Sequence, residues 1–308
     1  MEIKMADEFY QAICERIGSA SVRRDESMKQ HTTFRIGGTA DYYMLLKTER
    51  EWQEAIVLCH QYQKPYTVIG NGSNLLVSDE GYRGVILQGS REKEQIVRKG
   101  TSIEASAGVP LALLAKKALE YSLTGLEFAS GIPGSLGGAI VMNAGAYGGE
   151  MKQVITKVKL LDRDGTIQTL STEEMKFSYR HSILQEEEKI ALGAELSLQE
   201  GDFNRIQEKM EDYSKRRREK QPLEFPSAGS TFKRPEGYFA SKLIMEAGLA
   251  GKQIGGARVS EKHCGFIINT KDATAKDVWE LIGFVKEMVF EKFQVMLEPE
   301  VKLLGEFE

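Results

Sequence analysis

Glycine occupies positions 131, 134, 137, 138, 145, 148 and 149, seven of the nineteen residues from Gly131 to Gly149, and the positions between are mostly Ala, Ser and aliphatic residues. A solvated linker would instead carry Lys, Glu and Ser. The backbone here must therefore pass very close to something. One account is a bound pyrophosphate and a flat ring system, because main-chain amides donate to phosphate oxygens and absent side chains leave room for a ring. The other is a helix packed tightly on a sheet.

A second segment of this kind, Gly70-Asn71-Gly72-Ser73-Asn74, separates the strand-like runs Tyr66–Ile69 and Leu75–Val77. Glycine tolerates positive φ, so successive amides can converge there into an anion-binding nest. A plain tight hairpin accounts for it equally well. The segment starts like a dinucleotide fingerprint, but Leu75 stands where the third glycine belongs and strand-type residues follow, which argues against a Rossmann site. A P-loop fails too, since Gln253 follows Gly251-Lys252 and Glu246 replaces the first glycine. Two glycine segments some sixty residues apart point to a large phosphorylated cofactor held from two sides. His31, His60, His181 and His263 show no ligand-like spacing, so no metal is expected.

The remaining pattern mixes helices and strands. Thr48 to Glu51 forms a capping box ahead of Trp52, Ala55, Ile56 and Cys59; Pro110 suits a first helical position before Leu111, Leu114 and Ala118. Asp202 can cap a helix carrying Phe203, Ile206, Met210 and Tyr213, and Thr274 one carrying Val278, Leu281, Ile282 and Val285. Short apolar runs at Val85–Leu87, Ile103–Ala107, Val158–Leu161, Ile190–Ala194 and Gly265–Ile268 read as strands. Gln221 to Pro226 marks a junction, which puts a module boundary near residue 200.

With 45 acidic against 41 basic side chains the net charge is −4, which gives no basic surface for nucleic acid. The run Lys215–Lys220 reads as the solvated face of the helix begun at Phe203. Three widely spaced cysteines, Cys14, Cys59 and Cys264, make no disulfide framework. No apolar run approaches the ~18 residues of a membrane span, and the charged segment Met1–Gly18 looks like an amphipathic helix rather than a signal peptide. The chain is expected to be cytoplasmic, with no membrane, nucleic-acid or obligatory protein partner.

His31-Thr32-Thr33-Phe34-Arg35-Ile36-Gly37-Gly38, Gly70 to Asn74, Gly131 to Gly149, Ser178-Tyr179-Arg180-His181-Ser182, Ala228-Gly229-Ser230-Thr231-Phe232-Lys233 and Glu298-Pro299-Glu300-Val301-Lys302 together resemble the UDP-N-acetylenolpyruvoylglucosamine reductase family. The resemblance implies an α+β fold: an FAD-binding domain of the vanillyl-alcohol oxidase type in two α+β subdomains, residues 1–78 and 79–200, then a substrate domain, 201–299. The terminal strand, 300–308, would return to the first subdomain. It implies noncovalent FAD, NADPH as co-substrate, and reduction of the enolpyruvyl ether of a nucleotide-sugar to a lactyl ether in peptidoglycan precursor synthesis. The run from Ser230 to Asn269 leaves no room for an extra tyrosine-bearing loop, so the chain looks like the shorter subclass.

Residue by residue, the resemblance assigns catalysis to Arg180, Ser230 and Glu300. It assigns FAD to Arg35, Gly70, Asn71, Gly72, Ser73, Asn74, Gly134, Ser135, Gly137, Gly138, Asn143 and Gly145. Lys242 and Lys252, which flank the expected helix Phe239–Ala247, and Tyr238 are candidates for the UDP pyrophosphate, with a solvated surface role the equal alternative for each, and Lys233 is a candidate substrate contact and cation beside Ser230. On this reading Gly72→Val and Gly137→Val lose flavin while keeping the fold.

Overall fold

The computed structural model describes residues 2–91 and 95–307. Met1, Glu308 and the side chains of residues 2–7 lie outside that description, and with them part of the expected N-terminal amphipathic helix and the end of the expected terminal strand. The chain forms two compact units, one of Met1–Arg24, Tyr42–Asn71 and Gly84–Arg216, the other of Asp25–Asp41, Gly72–Arg83 and Arg217–Glu308.

The first unit has two cores. Helices α1 (Glu2–Arg16) and α2 (Glu49–Gln61) cover a four-stranded sheet in the order Val22–Ser27, Thr39–Leu46, Tyr82–Gly89, Tyr66–Ile69. Apolar residues of α2 recur at helical spacing, so Trp52, Ala55, Ile56 and Cys59 share one buried face against Tyr42, Met44, Val85 and Leu87. The box expected at its start is present: Thr48 Oγ1 accepts from the Glu51 amide at 3.2 Å and Glu51 accepts from the Thr48 amide at 3.2 Å.

The second core lies on a five-stranded antiparallel sheet in the order Ile167–Ser171, Ile155–Leu161, Ile190–Ser197, Ser102–Ser106, Ile96–Lys99. It is packed by α3 (Leu111–Glu120) and the short α4 (Leu136–Val141). Pro110 sits one position earlier than expected: its ψ of 135° makes it the cap, and helical geometry starts at Leu111. Helix α5 (Phe203–Lys220) begins where Asp202 Oδ1 accepts from the Arg205 amide at 2.9 Å; Ile206 is buried, and Met210 and Tyr213 pack against the core. Its basic end is a charged outer face, with Arg216 bonded back to Asp212 at 2.8 Å.

In the second unit the strand Leu75–Val77 pairs in parallel with Lys302–Leu304, and Gln253–Ile254, Ala257–Val259 and Ile267–Asn269 make a small antiparallel sheet. Helices α6 (Ala240–Glu246) and α7 (Ala275–Phe293) close over Phe34, Ile36, Leu76, Val259 and Ile267. The hairpin account of residues 66–77 is excluded, because Tyr66–Ile69 pairs with Tyr82–Gly89 rather than with Leu75–Val77.

Three sets of bonds hold the N-terminus of α7. Thr274 and Asp277 form a capping box, the Gly256 amide donates to Asp277 Oδ2 at 3.0 Å, and Asp79 accepts from the Ala275 and Lys276 amides at 2.9 and 3.1 Å. Burial pushes the Asp277 carboxyl up, but bonds from Gly256 and Thr274 outweigh it and hold the group below its ordinary value. We expect Asp277→Ala to lower stability by about 1–2 kcal/mol in urea melts at pH 7. The folded carboxyl titrates below its unfolded value, so this contribution is complete above the unfolded pKa of ~3.9 and is lost as the pH falls through the lower folded value. Wild type and variant should converge in acid.

Candidate active site

A cavity of about 720 Å³ opens within the first unit, among Gly70, Asn71, Gln88, Ser135, Gly137 and Gly138. That is the size of a site for a substantial small molecule, ~300–1,000 Å³. The glycine-dense segment enters it as an added edge: Leu111 N donates to Gly134 O at 3.0 Å, Leu136 N to Val109 O at 2.8 Å and Gly137 N to Ala107 O at 2.7 Å. Ser135, 1% exposed, then caps α4 by accepting from the Gly138 amide at 3.3 Å. Asn71 is tied to this segment through Nδ2, which donates to Pro133 O at 3.0 Å.

The glycines divide by what a side chain would meet. A Cβ at Gly137 would lie 2.9 Å from Ala107 Cβ, one at Gly145 2.6 Å from Gly149 O, and one at Gly70 on Ser135 Oγ. At Gly138 the nearest neighbour is Ser135 Oγ at 3.6 Å, in ordinary contact, and the residue lines the cavity. The tight-packing account therefore holds at Gly137 and Gly145, whereas Gly138 borders open space.

Asn143 is 1% exposed with φ 40°. Its Nδ2 donates to Glu150 Oε2 and to Ser178 O, both at 3.0 Å, and its Oδ1 accepts from the Lys152 amide at 2.9 Å. The side chain expected to face flavin is thus engaged in holding the turn that carries Arg180. Ser178 and His181 exchange main-chain bonds of 3.1 and 3.2 Å, and Arg180 at the tip has φ 55° with its carbonyl accepting from Gln185 Nε2 at 2.8 Å. Arg180 lies over the Tyr179 ring, 5.2 Å from its centroid. Nearby, the Lys152 ammonium, with the Asn143 amide and the Arg180 charge, holds the Glu150 carboxyl below its usual range against some burial.

In the second unit the loop Gly72-Ser73-Asn74 is pinned at both ends. Gly72, φ 62°, accepts from the Thr33 amide at 3.2 Å, and a Cβ there would sit on the His31 carbonyl. Asn74 Nδ2 donates to Glu300 O at 3.0 Å, and Asn74 O accepts from Lys302 N at 3.0 Å. Ser230 is exposed, between Gly229 (φ 77°) and the fully buried Thr231. Thr231 O accepts from Glu300 N at 2.8 Å, Lys233 N donates to Glu298 O at 2.9 Å, and Phe232 faces Pro299. Ser230 and Glu300 thus lie on neighbouring antiparallel segments.

The other expected residues of this unit are more scattered. Arg35 is exposed in a left-handed conformation, φ 56°, between buried Phe34 and Ile36. Lys233 pairs with Glu298, and Lys242 lies 3.7 Å from Glu246 one turn along α6. Lys252 stands over the Phe284 ring at 4.4 Å, and Tyr238 is exposed. Gln88, Tyr43 and Glu150 were not anticipated; the visible signal was a glutamine ending the apolar run Val85-Ile86-Leu87. Among the described residues no group of three or more His, Cys, Asp or Glu could hold a metal. Burial pushes the Cys59 thiol up to about 12, which leaves it inert.

Residues 40–171 match the FAD binding domain model, and residues 221–304 match the C-terminal domain model of UDP-N-acetylenolpyruvoylglucosamine reductase. Phl p 4.0202, a glucose dehydrogenase, shares the fold at TM-score 0.50 and 13% identity, over 64% of this chain and 44% of that one. The class is therefore a reductase with an FAD-binding domain. UDP-N-acetylenolpyruvoylglucosamine reductase from Caldanaerobacter subterraneus is 53% identical over 98% of this chain and 100% of its own; that from Geobacillus thermodenitrificans is 48% identical over 99% and 100%. The crystal structure of the Thermus caldophilus reductase superposes at TM-score 0.80 with 35% identity, over 92% of this chain and 99% of that one. The chain belongs to the UDP-N-acetylenolpyruvoylglucosamine reductase family.

The glycine geometry corrects the expectation for Gly72 and Gly137. A Cβ at either would meet protein rather than ligand, so Gly72→Val and Gly137→Val should lose structure together with flavin. Gly138→Val is the discriminating change: far-UV dichroism is expected to stay native while the ratio of flavin to protein absorbance falls. Normal flavin loading in this variant would remove the cavity from consideration as a cofactor site.

Proposed function

We propose that the chain is a flavoenzyme that uses NADPH to reduce UDP-N-acetylglucosamine enolpyruvate to UDP-N-acetylmuramate in peptidoglycan precursor synthesis. The reading is carried by the pairing of the Ser230 segment with the Glu300 segment, tied by Asn74 to the glycine loop, in a chain of this reductase family. The cavity beside Gly138 is the proposed place for FAD, bound noncovalently: no His or Cys falls within Gly131–Gly149 or beside Gly70–Asn74. His31, whose carbonyl lies against Gly72, has its ring bonded to Glu26 at 2.8 Å.

FAD held there would, once reduced by NADPH, supply the hydride for the terminal carbon of the enolpyruvyl group. Negative charge then builds on the carbon bearing the carboxylate. Ser230 gives its hydroxyl proton to that carbon, a role open to a weak acid because the carbanion it meets is strongly basic. Glu300 polarises a substrate oxygen or relays the proton. Arg180 suits the carboxylate, since its planar fork makes two parallel bonds and stays charged. Lys233, Tyr238, Lys242 and Lys252 are the proposed contacts of the UDP moiety. The three-part division at residues 78 and 200, and membership of the shorter subclass, belong to the same proposal, as does a cytoplasmic location. Among the described residues no helix is long and apolar enough to cross a membrane.

Stopped-flow absorbance of the flavin tests the assignment, one half-reaction at a time. NADPH-to-flavin transfer needs no proton for an enolate, so Ser230→Ala should reduce its flavin at nearly the normal rate. Reoxidation by the enolpyruvyl substrate should slow by about 10²-fold or more, the scale of a lost acid–base group. Arg180→Lys should also impair reoxidation, because one ammonium cannot make two parallel bonds to a carboxylate. Equal slowing of both halves in Ser230→Ala would rule out the proton-donor role.

A further inference from the structure

Gln88 closes the apolar run Val85-Ile86-Leu87 and is 3% exposed on the wall of the cavity. Its Nε2 donates to the carbonyl of Gly70, and its Oε1 accepts from the hydroxyl of Tyr43, itself buried. A carbonyl only accepts, so Gly70 dictates which end of the amide faces it, and Tyr43 takes the other. In the parallel ladder Ile69 stands opposite Gln88, and the pairing ends there. Gly70 is the next residue, where the chain leaves the sheet for the glycine loop. The Gln88 side chain therefore satisfies a carbonyl that has run past the ladder. A trans peptide sets C=O and N–H in opposite directions, so anchoring the Gly70 carbonyl also fixes the direction of the Asn71 N–H.

We infer that Gln88 is a positioning residue for the flavin cofactor, locking the Gly70–Asn71 peptide with its carbonyl turned to protein and its N–H left to serve the phosphate groups. Without that anchor the peptide is free to rotate and present an acceptor to an anion. Tyr43, over whose ring the Arg23 guanidinium stands 5.8 Å from the centroid, donates to the other end of the amide. The inference rests on the FAD reading of this cavity.

The test is the dissociation constant for FAD, measured on the full-length holoprotein from flavin fluorescence released on serial dilution, with dichroism to confirm folding. Gln88→Met should weaken FAD about tenfold or more, the scale of a lost charge-assisted donor. Gln88→Glu adds a signature that packing alone would not give. Protonated, the introduced carboxyl can still donate to Gly70; ionised, it cannot, and burial keeps its pKa high. The ratio of variant to wild-type dissociation constants should therefore rise from pH 6 to pH 9. Tyr43 is the titratable group bonded at this position, and the charged groups elsewhere on the cavity wall, His60, Lys64, Arg163 and Glu187 among them, are common to both proteins. A folded Gln88→Met with wild-type affinity, or a flat ratio for Gln88→Glu, would overturn the inference; the latter decides alone if Gln88→Met does not fold. Failure of wild type to hold FAD would instead overturn the reading of the cavity.

Discussion

Asn74 makes a two-sided clamp on the C-terminal strand: its amide nitrogen donates to Glu300 O, and its own carbonyl accepts from Lys302 N. These bonds continue into the parallel pairing of Leu75–Val77 with Lys302–Leu304. Through the Glu300 amide the same segment reaches Thr231, whose hydroxyl also accepts from Ile267 N at 3.0 Å. A residue near the end of the chain, one about three-quarters of the way along and one from the first quarter thus share a continuous hydrogen-bond network. Each bond contributes only about 1 kcal/mol net. Their number makes the register specific, and that register sets the Ser230 and Glu300 segments side by side.

Glycine serves two physical ends here, and they fall on adjacent residues. Gly137 is small because Ala107 occupies the space its side chain would need, whereas Gly138 is small where the cavity begins. α4 has six residues and a serine cap, so its own hydrogen bonding stabilises it little. Its position comes from packing on Ser102–Ser106 and Ile190–Ser197. The smallness that lets the helix approach the sheet also lets the backbone form the cavity wall.

Local chemistry was legible from the residues alone. Thr48 with Glu51, Asp202, and Thr274 with Asp277 all cap the helices they precede, and strand-type runs such as Tyr66–Ile69 and Leu75–Val77 are strands. Pairing was not legible, because periodicity carries no information about partners. That Tyr66–Ile69 lies parallel to Tyr82–Gly89 decides against a hairpin and brings Gln88 to Gly70, and nothing between residues 66 and 77 implies it. The residue types around Ser230 and Glu300 signalled chemistry only as an ordered set of motifs; their adjacency comes from the Thr231 and Lys233 bonds to residues 300 and 298.

Arg180 shows how one of these expected residues is held in place. A left-handed backbone costs a non-glycine residue roughly 1–2 kcal/mol, and Arg180 adopts it at φ 55°. The bonds between Ser178 and His181, the Gln185 bond to the Arg180 carbonyl and the Asn143 bond to the Ser178 carbonyl offset that cost together. Asn143 is itself left-handed and uses both ends of its amide, so the two strained residues support one another through Ser178. Glu150 receives the other Asn143 proton and stays ionised beside the Arg180 charge. The Arg180 guanidinium is thereby kept in a partly neutralised field, with its backbone fixed by the turn. Removing Asn143 would release the turn and unbalance that field at once, so a side chain with no free hydrogen-bonding group still governs the geometry of a charged one.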